Sequence, residues 1–175
     1  MKQIIIGIAG RAGAGKTTAA QQLERAWNYR RLSFSSPIKT MGREFFAMTD
    51  DELFGSKPEP ARRMLQGIGD MLRAFDPNWL IYSMQDAINQ VPEDHHIVID
   101  DIRMPEEAEL VRSLGGKIVL MICEDKSPCT PEQAQHSTER DVEGIDCDIL
   151  IDLPWGSVNE IRAKITTAAE KWAHS

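Results

Sequence analysis

The sequence is short of cysteine, of positive charge and of long apolar runs, and each shortage removes a class of protein. Its three cysteines, Cys123, Cys129 and Cys147, are an odd number without C-x-x-C spacing. That argues against a disulfide framework and a zinc ribbon and fits small buried or half-exposed thiols in a reducing compartment. Twenty Lys and Arg stand against 27 Asp and Glu, a formal net charge of −7. Such a surface repels polyanions, so nucleic acid and anionic membranes are not expected as partners, and any phosphate must be held by a locally built site. The longest apolar run, Lys117 to Cys123, has the length of a strand and falls well short of a membrane span. Met1 to Ile6 carries one positive charge and then turns glycine-rich, without the long apolar region of a signal peptide. A cytoplasmic chain is expected.

With 175 residues, 42% hydrophobic and 27% charged, the composition supports one globular domain with a sizeable core. Ile4 to Ala9 is a β-branched run suited to a strand buried on both faces. A glycine-rich turn follows, then a helical face of Ala19, Ala20, Leu23 and Trp27. Arg31 to Phe34 reads as a second strand, and Pro37 opens a helix to about Phe46. Thr49 to Pro60, with Gly55, Pro58 and Pro60, reads as a surface loop. Helices are expected over Ala61 to Ala74 and Asn78 to Gln90, and a strand over His96 to Ile99 that ends in Asp100 and Asp101. Pro105 to Leu114 (helix), Lys117 to Cys123 (strand), Asp148 to Leu153 (strand) and Ser157 to Trp172 (helix) complete the pattern. Residues 124–144 are polar and without a period, and no internal repeat is visible. About five strands alternating with helices predict a three-layer α/β sandwich on a parallel sheet.

Gly10-Arg11-Ala12-Gly13-Ala14-Gly15-Lys16-Thr17 matches G-x-x-x-x-G-K-[ST] in full, after a strand and before a helix. Glycines let backbone N–H groups converge on phosphate without a Cβ in the way, and the helix N-terminus adds partial positive charge. Lys16 suits the β and γ oxygens of a triphosphate, and the Thr17 hydroxyl suits magnesium. Arg11, Ala12, Gly13, Ala14, Gly15, Lys16, Thr17 and Thr18 are the candidate nucleotide-binding residues, with ATP and Mg²⁺ as the expected cofactors. No N-K-x-D guanine clamp is present, which argues against a GTPase switch. Small size and an Arg-rich middle region favour kinases of nucleotides and small metabolites.

Further segments resemble the phage and bacterial deoxynucleoside monophosphate kinases. Phe34-Ser35-Ser36-Pro37-Ile38-Lys39 is similar to that family's strand end and P-[IL]-K helix start. Arg62-Arg63-Met64-Leu65-Gln66-Gly67-Ile68-Gly69-Asp70 resembles its R-x-L-[ML]-Q-x-[IL]-G-[TD] helix, followed by Asp76-Pro77-Asn78-Trp79. Ile97 to Arg103, with Glu107 and Gly115-Gly116, resembles its D-x-R strand end. His136-Ser137-Thr138-Glu139 matches H-x-[ST]-E, and Gly156 to Ile161 matches its G-S-[LV]-x-E-[LI]. The segments occur in family order over most of the chain. Thr17 stands where the family often has Asp, and Asp152-Leu153-Pro154 replaces its Asn-Asp.

The resemblance implies the phosphate-loop NTPase fold of nucleoside monophosphate kinase type over residues 1–175. It implies a monophosphate-binding helical region at 35–95 and a lid-like loop at 124–144, where His136 would meet ATP. Phosphoryl transfer between nucleotides needs two polyanions held in line and positive charge around the moving group, a task suited to the planar fork of arginine. Lys16, Asp101 and Arg103 are the candidate catalytic residues; Lys39, Arg63, Gln66, Gly69, Arg73, Trp79 and Asp101 are the candidate substrate-binding ones. Between the adjacent Arg62 and Arg63 only one can face a cleft, and Arg63 is expected to, with Arg73 on its face and Arg62 solvated. Strict strand alternation sends Asp100 and Asp101 to opposite faces, and D-x-R selects Asp101.

The implied reaction is ATP plus dNMP giving ADP plus dNDP, with small-molecule nucleotides as the only expected partners of a monomer or homodimer. The alternatives are a phosphate-loop kinase for another phosphate acceptor, such as dephospho-coenzyme A or phosphomevalonate, and an ATP-sensing module without transfer.

Overall fold

The structure is a computed structural model and describes residues 3–123 and 141–174. The chain divides into two compact units, one of Met1–Leu32 with Gln90–Ser175, the other Ser33–Asn89.

In the first unit, β1 (Ile5–Gly10), β2 (Tyr29–Leu32), β3 (His96–Ile102), β4 (Lys117–Ile122) and β5 (Ile149–Asp152) form one parallel sheet in the order β2-β3-β1-β4-β5. Helices α1 (Lys16–Ala26) and, at the far end of the chain, Val158–Ala173 pack on one face with Ile6, Ile8, Leu23, Val98, Val119, Ile161 and Ile165. A helix over Pro105–Ser113 lies on the other, where Val111, Ile102 and Ile118 crowd against Gly7. The result is the three-layer α/β sandwich that the pattern of β-branched runs predicts, since strands covered on both faces must be apolar on both. All six residues of β1 are buried. β1 lies between β3 and β4; the chain leaves it for β2 on the β3 side and later crosses from β3 to β4 on the other side, and the crevice beyond the carboxyl ends of these strands is where such sheets take ligands.

The second unit is helical: α2 (Ser36–Phe46), α3 (Asp50–Phe54), α4 (Glu59–Phe75) and α5 (Trp79–Asn89). Continuing in chain order, Pro105–Ser113 is α6 and Val158–Ala173 is α7. Buried Met48, Leu53 and Ala61, with Leu65 against them, make a small core where α3 meets α4.

Two expectations change. Thr49 to Pro60 is not wholly loop, because Thr49 and Glu52 form a capping box that starts α3: the Thr49 N–H donates to Glu52 Oε2 at 2.8 Å and the Glu52 N–H to Thr49 Oγ1 at 3.4 Å. The second strand is Tyr29–Leu32 rather than Arg31 to Phe34. Most of the polar segment 124–144, His136 included, lies outside the described residues.

Strict alternation also fails in β3. Ile97, Val98 and Ile99 pair with Ile5, Ile6 and Gly7, but Ala9 pairs with Ile102, so β3 holds one residue more than β1 there. This bulge falls at Asp100 and Asp101, and it undoes the face assignment made from the strand period alone.

Candidate active site

The phosphate loop of the sheet unit is built from backbone. β1 runs into the loop through Gly10 (φ +146°), where a Cβ would stand 2.5 Å from the Met121 carbonyl oxygen of β4. Gly15 is left-handed (φ 88°) and caps α1, so only glycine turns the chain from loop to helix there without strain. No side chain caps α1 and no acid stands in its first turn, which leaves its N–H groups and partial positive charge for an anion. Lys16 is buried, and its Nζ donates to the carbonyls of Gly10 at 2.6 Å and Arg11 at 2.7 Å. The ammonium is thereby folded over its own loop. Thr17 and Arg11 are exposed; Ala12 and Thr18 are half-buried.

The carboxyl end of β3, next to β1 in the sheet, brings the acids to this crevice. Asp100 is 5% exposed and its Oδ2 lies 2.6 Å from Arg31 Nη2, an ion pair between β3 and β2. Asp101 and Arg103 are half-buried. Beyond them the buried carboxylate of Glu107 accepts from the backbone N–H of Arg103 at 2.8 Å and of Met104 at 3.2 Å. The first turn of α6 is thus tied to the residue that carries the D-x-R arginine, and Glu107 fixes where Arg103 leaves the strand.

The acceptor candidates sit on the helical unit, and helix phase sorts them. At ~100° per residue, Arg62, Gln66 and Arg73 fall within about 40° of one another on α4, with Gly69 beside them. Arg63 is about 80° away from Arg73, because ten residues are short of three turns by most of a residue. Burial agrees: Arg62, Gln66 and Arg73 are half-buried, whereas Arg63 is 70% exposed and pairs with Glu59 at 2.9 Å. The expectation that Arg62 is the solvated member of the pair is therefore corrected. Arg62 Nε is buried and meets no hydrogen-bond partner among the described residues, an unsatisfied donor of the kind that a ligand completes. Gly69 is buried; a Cβ there would press on Ile38 and on the Arg73 guanidinium at 3.2 Å each. Lys39 and Arg43 of α2 lie over the Phe54 ring at 5.1 and 5.7 Å. Trp79 is half-buried at the start of α5, its N–H bonded to the Asp76 carbonyl at 3.0 Å.

A glycine phosphate loop between β1 and α1 of a parallel β2-β3-β1-β4-β5 sheet defines a phosphate-loop kinase fold. Three solved structures share it over nearly the whole of both chains. A Thermus thermophilus protein is 20% identical, with a TM-score of 0.54 over 97% of this chain and 98% of its own. The thymidylate kinase of Candida albicans is 12% identical (TM-score 0.53; 97% and 92% covered), and the shikimate kinase of Aquifex aeolicus 13% identical (0.51; 98% and 99%). At these identities they speak for the fold alone.

The sequence pattern of the deoxynucleotide monophosphate kinases matches residues 43–165, beginning after the phosphate loop and so independent of it. The chain belongs to the deoxynucleotide monophosphate kinase family. It is also 27% identical over 144 residues, 66% of this chain and 72% of the relative, to a protein of Acanthamoeba polyphaga mimivirus provisionally named a deoxynucleotide monophosphate kinase. The enzyme is a phosphotransferase of the nucleotide monophosphate kinase class. Among the described residues, no helix is long and apolar enough to cross a membrane.

Proposed function

We propose that this enzyme transfers the γ-phosphoryl group of ATP to a deoxynucleoside monophosphate, giving ADP and a deoxynucleoside diphosphate. The observation that carries the reading is a complete phosphate loop with its buried Lys16 in a chain of this family. The bond from the γ-phosphorus to the β–γ bridging oxygen breaks, and one forms to an oxygen of the acceptor's phosphate. That acceptor is already ionised near neutral pH, with a second pKa of about 6, so the protein need supply no strong base. Its task is positioning and charge.

In this reading the loop N–H groups from Arg11 to Thr18 cradle the triphosphate, and His136 adds to the ATP site. Lys16 follows the charge that builds on the β and γ oxygens. Magnesium would be held by the Thr17 hydroxyl with a carboxylate at the end of β3, an all-oxygen donor set that suits a hard cation. Bound there, it would neutralise charge between the β and γ phosphates. Asp101, the more accessible of the two acids, serves that end, while Asp100 is committed to Arg31. Arg103 reaches the transferring group from a backbone that Glu107 holds in place. Arg62, Arg73 and Gln66 bind the acceptor's phosphate and sugar from one face of α4, with Lys39 and Trp79 supporting them and Gly69 leaving the room; Arg63 stays on the outer side.

The test is ADP release on adding each deoxy- and ribonucleoside monophosphate in turn to enzyme and Mg-ATP. Dephospho-coenzyme A, phosphomevalonate and shikimate serve as rival acceptors. ADP should appear with one or more deoxynucleotides and not with the rivals. Release with a rival alone, or ATP binding without release, would overturn the proposal.

A further inference from the structure

Helices α2 and α4 pack antiparallel. A Cβ on Gly69 of α4 would stand 3.2 Å from Ile38 Cδ1, and a Cβ on Gly42 of α2 would stand 3.3 Å from Leu65 Cδ2. Because the two chains run in opposite directions, one residue onward from this contact line turns toward the same side on both helices. Lys39 and Arg43 follow Ile38 and Gly42 and lie about 80° and about 120° from the line. Arg62, Gln66 and Arg73 lie about 40° to about 80° from it on α4. The helix pair therefore presents all five groups on one side. The α4 groups suffice for the phosphate and sugar of an acceptor, which leaves the two α2 cations for the rest of it.

Those cations share a partner, Phe54 of α3. The capping box fixes where α3 begins, and the Gly55 N–H closes it on the Asp51 carbonyl at 2.9 Å. Leu53 is fully buried against the Gly42 and Leu65 contact, so the next residue turns away from that core. Phe54 is accordingly 60% exposed, and a fold gains about 1.5–3 kcal/mol from a phenyl ring only by covering it. Lys39 Nζ and the Arg43 guanidinium stand over this ring at 5.1 and 5.7 Å, Arg43 also pairing with Asp50. An open aromatic ring rimmed by cationic donors matches a nucleobase, which offers a π-face to stack and acceptor atoms along its edge. We propose that the base of the acceptor nucleotide stacks on Phe54, with Lys39 and Arg43 donating to its edge. This rests on the acceptor role proposed for α4 and extends it from the phosphate to the base.

The test compares the accepted deoxynucleoside monophosphate with 2-deoxyribose 5-phosphate, the same acceptor without its base. Both, and ATP, are titrated into the wild type, Phe54→Ala and Phe54→Trp. Phe54→Ala should weaken the monophosphate by about five- to a hundredfold, the scale of one lost base–aromatic stack, and leave the sugar phosphate and ATP within about twofold. Phe54→Trp should bind the monophosphate at least as tightly as the wild type. Far-UV circular dichroism should not change in either variant, because the ring is exposed. If phosphate transfer persists and Phe54→Ala binds the monophosphate as the wild type does, this inference alone is overturned. It is overturned as well if Phe54→Ala weakens the sugar phosphate equally, which would make the ring a prop for Lys39. A wild type that transfers phosphate to no nucleotide overturns the proposed function and this inference with it.

Discussion

In the sheet unit, the groups proposed to meet phosphate are mostly backbone N–H groups, placed by Gly10 and Gly15 at a strand end whose six residues are all buried. In the helical unit, the groups proposed to meet the acceptor are side chains, Arg62, Gln66 and Arg73, placed only by the phase of α4. The two ways of building a site differ in how plainly a sequence shows them. A backbone cradle demands fixed residue types at fixed spacing, so the loop stands out as a motif. A side-chain face demands only that the right residues recur every three or four positions, and two adjacent arginines then compete for one role.

The comparison breaks most sharply at Lys16. Lys16→Met should lower turnover by about a thousandfold or more, the scale of losing a preorganised charge in the transition state. Lys16 is buried and donates to two carbonyls of its own loop, and the unbranched methionine stem fills nearly the same space, so the variant should keep its melting temperature within a few degrees. Next comes the strand end: Asp101→Asn should lose about a hundredfold in turnover with little change in stability. Asp100→Asn should instead melt several degrees earlier, since it leaves Arg31 beside a neutral amide. A cost of about 1–3 kcal/mol is expected, below that of a fully buried pair because Arg31 is 30% exposed. An Asp100→Asn enzyme that is folded normally but inactive would exchange the roles of the two acids.

The smallest effects concern stability alone. Thr49→Ala removes the side-chain half of the α3 capping box and should cost about 1 kcal/mol, read as a lower melting temperature. Near the start of the sheet, burial holds the His96 imidazole below its ordinary pKa, and its Nδ1 accepts from the Ile4 N–H at 3.1 Å. The unfolded chain therefore binds more protons than the folded one as pH falls past about 6.5, and stability drops there. A melting temperature that declines between about pH 7 and about pH 5.5, less steeply in His96→Asn, would confirm that sign.

Much of the fold was legible because its signals are local. Ile4 to Ala9, suited to a strand covered on both faces, and Lys117 to Cys123 read as strands from their apolar runs, and Gly115-Gly116 closed α6 where expected. The capping box Thr49-x-x-Glu52 is equally present in the sequence, but Gly55, Pro58 and Pro60 beside it give the stronger local signal, for a loop. The bulge at Asp100 and Asp101 was not legible, because a strand's period gives no sign of a residue added against its neighbour. Choosing between Arg62 and Arg63 needed only arithmetic: Arg62 is eleven residues from Arg73, three turns within about 20°, and Arg63 is not.

The division of labour between the two units is tested most directly by titrating ATP and the accepted deoxynucleotide separately into Lys16→Met, Arg62→Ala and Arg63→Ala by calorimetry. The account predicts that Arg62→Ala weakens the monophosphate by about tenfold or more, the size of a lost charged phosphate contact, and leaves ATP within about twofold. Lys16→Met should show the reverse preference, and Arg63→Ala should bind both as the wild type does. Equal losses of both ligands in Arg62→Ala, or a monophosphate loss confined to Arg63→Ala, would contradict it.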